Sequence, residues 1–116
     1  MSFGYKNGMP IDADFTFDAR CLPNPHWEPT LRDKTGCDPE VRAFLDEIPE
    51  VQAFLNDVSQ FMLNWAPRFR DDDRSYLTIA IGCTGGQHRS VYLTEALSKK
   101  LGSSLYDVLI RHRDLR

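Results

Sequence analysis

Tyr76-Leu-Thr-Ile-Ala-Ile-Gly-Cys-Thr-Gly-Gly-Gln-His-Arg-Ser-Val91 joins an apolar run to a glycine turn and then to a helical pattern. Tyr76 to Ile81 is apolar or β-branched with no alternation, as in a strand covered on both faces within a parallel sheet. Gly82 to Gly86 forms the turn. Beyond it Val91, Leu93, Ala96, Leu97 and Leu101 give one apolar helix face, with Gly102 as a C-terminal stop. A buried strand that passes into a helix at its carboxyl end marks the edge where open parallel sheets bind ligands.

The flanking sequence supplies the other elements. Upstream, Asp14 to Ala19 alternates polar and apolar residues with period two, a second strand. Arg20 to Gly36 contains Pro23, Pro25 and Pro29 and no period, so a long loop follows, of the kind that carries function more often than not. Asp38-Pro39 offers an N-cap and a first helical position, after which Val41, Phe44, Leu45 and Ile48 share one face. Pro49 starts another helix, whose stripe of Val51, Phe54, Leu55, Val58, Phe61, Met62 and Trp65 runs until Pro67 and reads as core. Downstream, Leu105 to Ile110 reads as a strand. The order strand, helices, strand, helix, strand predicts one α/β domain over 1–116. Its sheet is small and mostly parallel, with about four strands, Tyr76 to Ile81 at its centre and helices packed on it.

Composition narrows the function classes. The chain has 116 residues, 41% of them apolar and 27% charged, enough for one core and too apolar for a disordered tail. No run approaches the roughly 18 apolar residues of a membrane-spanning helix, and Met1 to Lys6 lacks the layout of a secretion signal, so a cytoplasmic protein without membrane contact is expected. Three Cys, at 21, 37 and 83, make an odd number without a C-x-x-C pair, which argues against a disulfide framework or structural zinc, and no metal site is expected. The net charge of −3 is unevenly spread. Acidic residues outnumber basic ones up to His88, and basic residues outnumber acidic ones from Arg89 to Arg116.

The turn carries the chemistry. Gly85 and Gly86 let backbone N–H groups approach an anion, and the free amides of the following helix add partial positive charge. Thr84 and Ser90 can donate hydroxyls, and Arg89 offers a planar fork matched to two phosphate oxygens. These residues point to a phosphate loop at a strand-to-helix junction. Cys83, Arg89 and Ser90 also match Cys-x5-Arg-Ser, the loop of cysteine-dependent phosphatases, in which the thiolate attacks phosphorus and the Arg binds the equatorial oxygens. Gly82, however, stands where those enzymes usually have His, and only Asp71 to Asp73 offers a general acid. Binding without catalysis is therefore expected, with a phosphatase using Cys83 and Arg89 as the alternative. A second cluster, Asp18, Arg20, Asn24 and His26, would face the loop if the two strands are parallel neighbours, and its donors and acceptors suit sugar hydroxyls or an amino group beside a phosphate.

Several blocks together carry a resemblance: Ser2 to Gly8, Asp12 to Phe15, Phe17 to Arg20, Leu22 to Trp27, Thr35-Gly36, Arg74 to Thr78, Ile81 to Gly86 and His88 to Val91. In this order they closely resemble the C-terminal domain of the RapZ (YvcJ) family of bacterial nucleotide-binding RNase adapter proteins. In that family a P-loop domain binds ATP or GTP. No G-x-x-x-x-G-K-[ST] occurs here, so the resemblance implies a C-terminal domain alone, with no cofactor of its own. It further implies a sugar-phosphate site, glucosamine-6-phosphate-like, at Asp18, His26, Cys83, Thr84, Gly85, Gly86, His88 and Arg89. Contacts to small regulatory RNA would fall on Lys6, Arg20, His88, Arg89, Arg111 and Arg113. An RNase E-type nuclease as partner and a homo-oligomeric full-length protein are implied as well.

Overall fold

The computed structural model describes residues 1–70, 76–103 and 107–116. Three strands, β1 (Ser2–Gly4), β2 (Phe15–Asp18) and β3 (Ile79–Cys83), form one parallel sheet in the order β1-β3-β2. Three helices, α1 (Pro39–Asp46), α2 (Pro49–Arg70) and α3 (Arg89–Gly102), accompany it, with single 3-10 turns at Tyr5–Asn7 and Pro25–Trp27. The α/β class and the central position of the buried strand match the sequence reading. No helix among the described residues is long and apolar enough to cross a membrane.

Four expectations need correction. The central strand begins at Ile79 and runs to Cys83, so Gly82 and Cys83 belong to the sheet and not to the turn. It is displaced because β1 and β2 offer partners only there, Phe15 opposite Ile79 and Gly4 opposite Cys83. The sheet has three strands, one fewer than anticipated: residues 107–110 have no regular structure, and the rest of the predicted strand at Leu105 lies outside the described residues. Instead residues 111–113 lie parallel beside β1 through a bridge between Ser2 and His112, with the Ser2 N–H donating to Arg111 O at 2.9 Å and the Arg113 N–H to Ser2 O at 3.1 Å. α2 continues through Pro67, and Phe69 in its last turn packs edge-on against Phe15 at 5.3 Å. Gly102 stays within α3, which ends on Ser103 in right-handed helical conformation.

The period-two geometry of strands divides the sheet into two faces. Ile79, Ile81 and Cys83 point to the helices, as do Phe15 and Phe17, whose rings meet Phe61 of α2 at 5.5 and 5.9 Å. With Val41, Leu45, Val51, Leu55, Val58, Met62, Leu93, Leu97 and Leu101 they enclose the core. Gly82 points to the other face, where a Cβ would lie 2.4 Å from Phe3 Cζ and 2.6 Å from Tyr5 Cε2, so those two rings cover β3 only because the strand has no side chain there. The loop after β2 is pinned to the helix side by Leu22 and Leu31, both in the core. His88, just before α3, is 6% exposed and hydrogen-bonds Leu31 O through Nε2 at 3.1 Å. A carbonyl only accepts, so that nitrogen carries a proton.

Gly4 approaches the phosphate loop so closely that a Cβ would lie 2.5 Å from the Gly85 carbonyl carbon. Gly4→Ala forces two backbones apart and is expected to lower stability by about 1–3 kcal/mol, the cost of overpacking, in urea unfolding. Burial shifts the His88 imidazole below its usual pKa, only partly offset by the Leu31 and Lys34 carbonyls. The folded state thus favours neutral His88. Its contribution is complete above the unfolded value of about 6.5 and declines as pH falls through that value toward the folded one. A His88→Gln variant should show a flatter decline of melting temperature between roughly pH 7 and 5 than the wild-type chain.

Candidate anion-binding site

The parallel strands end on one edge, with Gly4 in register with Cys83 and Asp18 in register with Gly82. The residues that follow each strand therefore converge: Tyr5 and Lys6 from β1, Ala19 and Arg20 from β2, Thr84 to Arg89 from β3. Gly86 takes φ +76°, which turns the loop back over the edge. Among the described residues no acceptor takes the backbone N–H groups of Gly85, Gly86, Gln87 or His88, and these precede the free end of α3.

Contacts from distant parts of the chain fix the loop. The Lys6 N–H donates to Thr84 O at 3.1 Å and the Gly36 N–H to Gln87 O at 2.8 Å. Gln87 Nε2 donates to Gly85 O at 3.2 Å and to Asp114 O at 2.7 Å, and Gln87 Oε1 accepts from the Arg116 N–H at 3.2 Å. Asp114 in turn accepts the Gly4 N–H at 2.7 Å, and its carboxyl is held below the usual range by Arg113 and this bond. The sequence reading placed none of Gly36, Gln87 and Asp114 in the site. Each acts through backbone groups or over separations too long for any spacing rule.

Arg89 is 3% exposed. Its Nη1 donates to the carbonyls of Arg20 at 2.9 Å and Leu22 at 2.8 Å, and Nη2 lies 3.4 Å from Thr84 Oγ1. Nε is buried without a partner. One end of the guanidinium thus holds the loop after β2 in place, while Nη2 lies against Thr84 at the strand edge. Burial works against its charge, while Cys83, Cys21 and Asp18 favour it. Cys83 is buried, its thiol 3.1 Å from Ser90 Oγ, and it accepts the Ser90 N–H at 3.4 Å.

Asp18 and Arg20 form a close pair at 2.6 Å, both half exposed, and the Arg20 guanidinium lies 3.8 Å over the Tyr5 ring. Arg20 hydrogen bonding keeps the Asp18 carboxyl below its ordinary pKa, and burial with the nearby Asp18 charge raises that of the Tyr5 phenol. Tyr5 was not singled out by sequence, because nothing local shows that it would stand beside β2. His26 is exposed, edge-on to Trp27 at 5.5 Å. Asn24 caps its turn by accepting the His26 N–H at 3.1 Å. His88, expected to meet ligand and RNA, turns its ring into the protein. Lys6 and Thr84 are exposed at the edge, whereas Arg111 sits at the start of β1 beside Met1, at the opposite end of the sheet. Arg113 is bound to Asp114 at 2.9 Å and to Gly8 O at 2.6 Å. The structure therefore gathers Asp18, Arg20, Lys6 and the 83–89 loop, and it does not bring Arg111 to them.

A family model described as the RapZ C-terminal domain matches residues 1–116. A nucleotide-binding protein of Methylococcus capsulatus is 60% identical over 114 residues, 98% of this chain and 39% of that protein. Nucleotide-binding proteins of Cellvibrio japonicus and Pseudomonas fluorescens strain SBW25 are 55% and 56% identical over the same length, 98% of this chain and 38% and 40% of theirs. The chain thus spans about two fifths of these curated relatives. A match across all 116 residues, with this identity, places the chain in the RapZ C-terminal domain family.

Proposed function

We propose that the 83–89 loop binds the phosphate of a small phosphorylated metabolite, a sugar phosphate of the glucosamine-6-phosphate kind. The observation that carries this reading is the run of unaccepted N–H groups from Gly85 to His88 beside Arg89, whose Nη2 faces the exposed Thr84. A phosphate offers acceptors to both. Buried donors left unsatisfied cost roughly 1–3 kcal/mol each, and bonds to a charged group return about 1.5–3. Several such contacts correspond to micromolar to millimolar affinity, about −8 to −4 kcal/mol. Asp18, Arg20 and Tyr5 stand beside the loop, where they would meet hydroxyl or amino groups of the rest of the ligand, with His26 on the neighbouring exposed loop.

The mechanism is recognition and not turnover. Cys83 shares its sulfur with Ser90, and Arg89 spends one nitrogen on two backbone carbonyls. Position 82 is closed to any side chain by Phe3 and Tyr5. A phosphatase would need Cys83 free as a thiolate and an acid poised at the leaving group.

RNA contact is the second reading, favoured by the placement of Lys6 over Thr84 and of Arg116 beside Gln87. An acidic body limits this surface to a few phosphates, so affinity should be modest and salt-dependent, with a slope of roughly −2 to −4 in log affinity against log salt. In the full-length protein, nucleotide binding of the sort named in the relatives, RNase partnership and self-association would belong largely to the remaining three fifths.

Calorimetry with glucosamine-6-phosphate tests the site. Arg89→Lys keeps the charge and loses the fork, so it should weaken binding by about 1.5–3 kcal/mol, and Thr84→Val by about 1. Unchanged affinity in both overturns the assignment. Cys83→Ser should retain most binding. Turnover of a phenyl phosphate by the wild-type chain that vanishes in Cys83→Ser would establish the phosphatase instead. If metabolite and RNA share the loop, saturating sugar phosphate should lower RNA affinity, and RNA should lower metabolite affinity by the same factor.

A further inference from the structure

Cys37, Glu95 and His112 come from three separate parts of the chain and meet away from the phosphate loop. Cys37 lies just before α1, Glu95 lies on α3, and His112 belongs to the segment beside β1. One sulfur, one carboxylate oxygen and one imidazole nitrogen lie within 4.8 Å of one another. Cys37 Sγ is 3.9 Å and His112 Nε2 2.9 Å from the same Glu95 Oε1.

We propose that these three side chains form a binding site for Zn²⁺ or a similar soft divalent cation. Thiolate, imidazole and carboxylate are the zinc donor set, and three protein ligands leave the fourth tetrahedral position to water or another small donor. Zinc bond lengths near 2.0–2.3 Å put tetrahedral ligands about 3.4–3.6 Å apart. The Glu95 oxygen lies 3.9 and 2.9 Å from the other two donors and all three lie within 4.8 Å of one another, so closing around an ion at tetrahedral spacing needs side-chain movements of up to about 1 Å.

The surroundings supply what such a ligand set requires. His112 Nδ1 lies 2.7 Å from Oγ of Ser2, which is wholly buried. That bond fixes the ring orientation: without an ion Nε2–H donates to Glu95 and Nδ1 can accept the Ser2 hydroxyl, and an ion at Nε2 would displace that proton, with Nδ1 then donating to Ser2 Oγ. A partner on the far nitrogen is the usual support of a metal-bound imidazole. Cys37 remains exposed, which gives an ion a route in. Ligands at 37, 95 and 112 lie too far apart in sequence for any spacing rule to mark them. Cys37 follows Gly36, which holds Gln87, and His112 precedes Asp114, which holds Gly4 and Gln87. An ion there would join two of the clamps on the phosphate loop without touching the loop.

The test is titration of the chelator-treated chain with Co²⁺ and Zn²⁺. One equivalent of Co²⁺ should produce a thiolate-to-cobalt charge-transfer band. Zn²⁺, measured against a chromophoric chelator, should bind at least about tenfold more weakly to Cys37→Ser and to Glu95→Gln, while Cys21→Ser binds as the wild type does. Both ligand variants alter side chains at the surface, and their unfolding midpoints without metal report whether the fold persists. Absence of the band in the wild-type chain overturns the site, as does a band that survives in Cys37→Ser or is lost in Cys21→Ser. A Glu95→Gln variant with unchanged zinc affinity would likewise remove the carboxylate from the proposal.

Discussion

Gly4 and Gly86 meet main chain to main chain, with a hypothetical Cβ on Gly86 only 2.7 Å from the Gly4 nitrogen. That approach is available to no other pair of residues, because any side chain at either position would wedge β1 away from the loop. Once the two are in contact, the Gly4 N–H reaches Asp114, the Lys6 N–H reaches Thr84, and Gln87 is drawn to the carbonyl of Asp114. The positive φ of Gly86 turns the loop back over the sheet edge. The shape of the 83–89 loop, the path of residues 111–116 and the closeness of Lys6 to the loop all follow from the absence of two side chains.

Electrostatics at the edge follow the same economy. Arg89 is the most buried cation of the site, and burial works against its charge despite Cys83, Cys21 and Asp18 nearby, whereas Arg20 is exposed and tied to Asp18. The pair contributes little through attraction alone, since exposed ion pairs are commonly worth under about 1 kcal/mol. Its effect is positional: with the Tyr5 ring beneath it, Arg20 stands as a fixed wall beside Thr84.

Much of this was legible in the sequence. The unalternating run ending at Ile81, the glycines after it and the stripe from Val91 to Leu101 located the central strand, the loop and α3, because a doubly covered strand has no polar face to show. Asp38-Pro39 and Pro49 marked the starts of α1 and α2, although the Asp38 carboxylate turns back to accept the Thr35 N–H at 2.7 Å and leaves the helix amides alone. Ser2-Phe-Gly4 escaped notice, since three residues are too few for a period and their strand exists only through β3. The predicted last strand was set too early for a related reason: Val108, Leu109 and Ile110 look like strand but are exposed, and the residues that do run beside β1 are Arg111, His112 and Arg113. His88 and Arg89 were assigned to the loop by their place at the start of α3. Their burial depends on carbonyls of residues 20, 22 and 31, contacts spanning more than fifty positions that no local pattern reveals.

The pairing of Ser2 with His112 has a consequence for how the protein comes into being. Helices α1 and α2 are consecutive and local, and they can form early, but β1 waits for β3 and then for residues 111–114, the longest separations in the molecule. Closing such distances carries a loop-entropy cost before any contact rewards it, so the edge where the three strands end is assembled last. During synthesis the loop emerges before Asp114 and Arg116, held at that stage only by the Lys6 and Gly36 amides. Its full set of clamps is therefore complete only once residues 111–116 lie down beside β1.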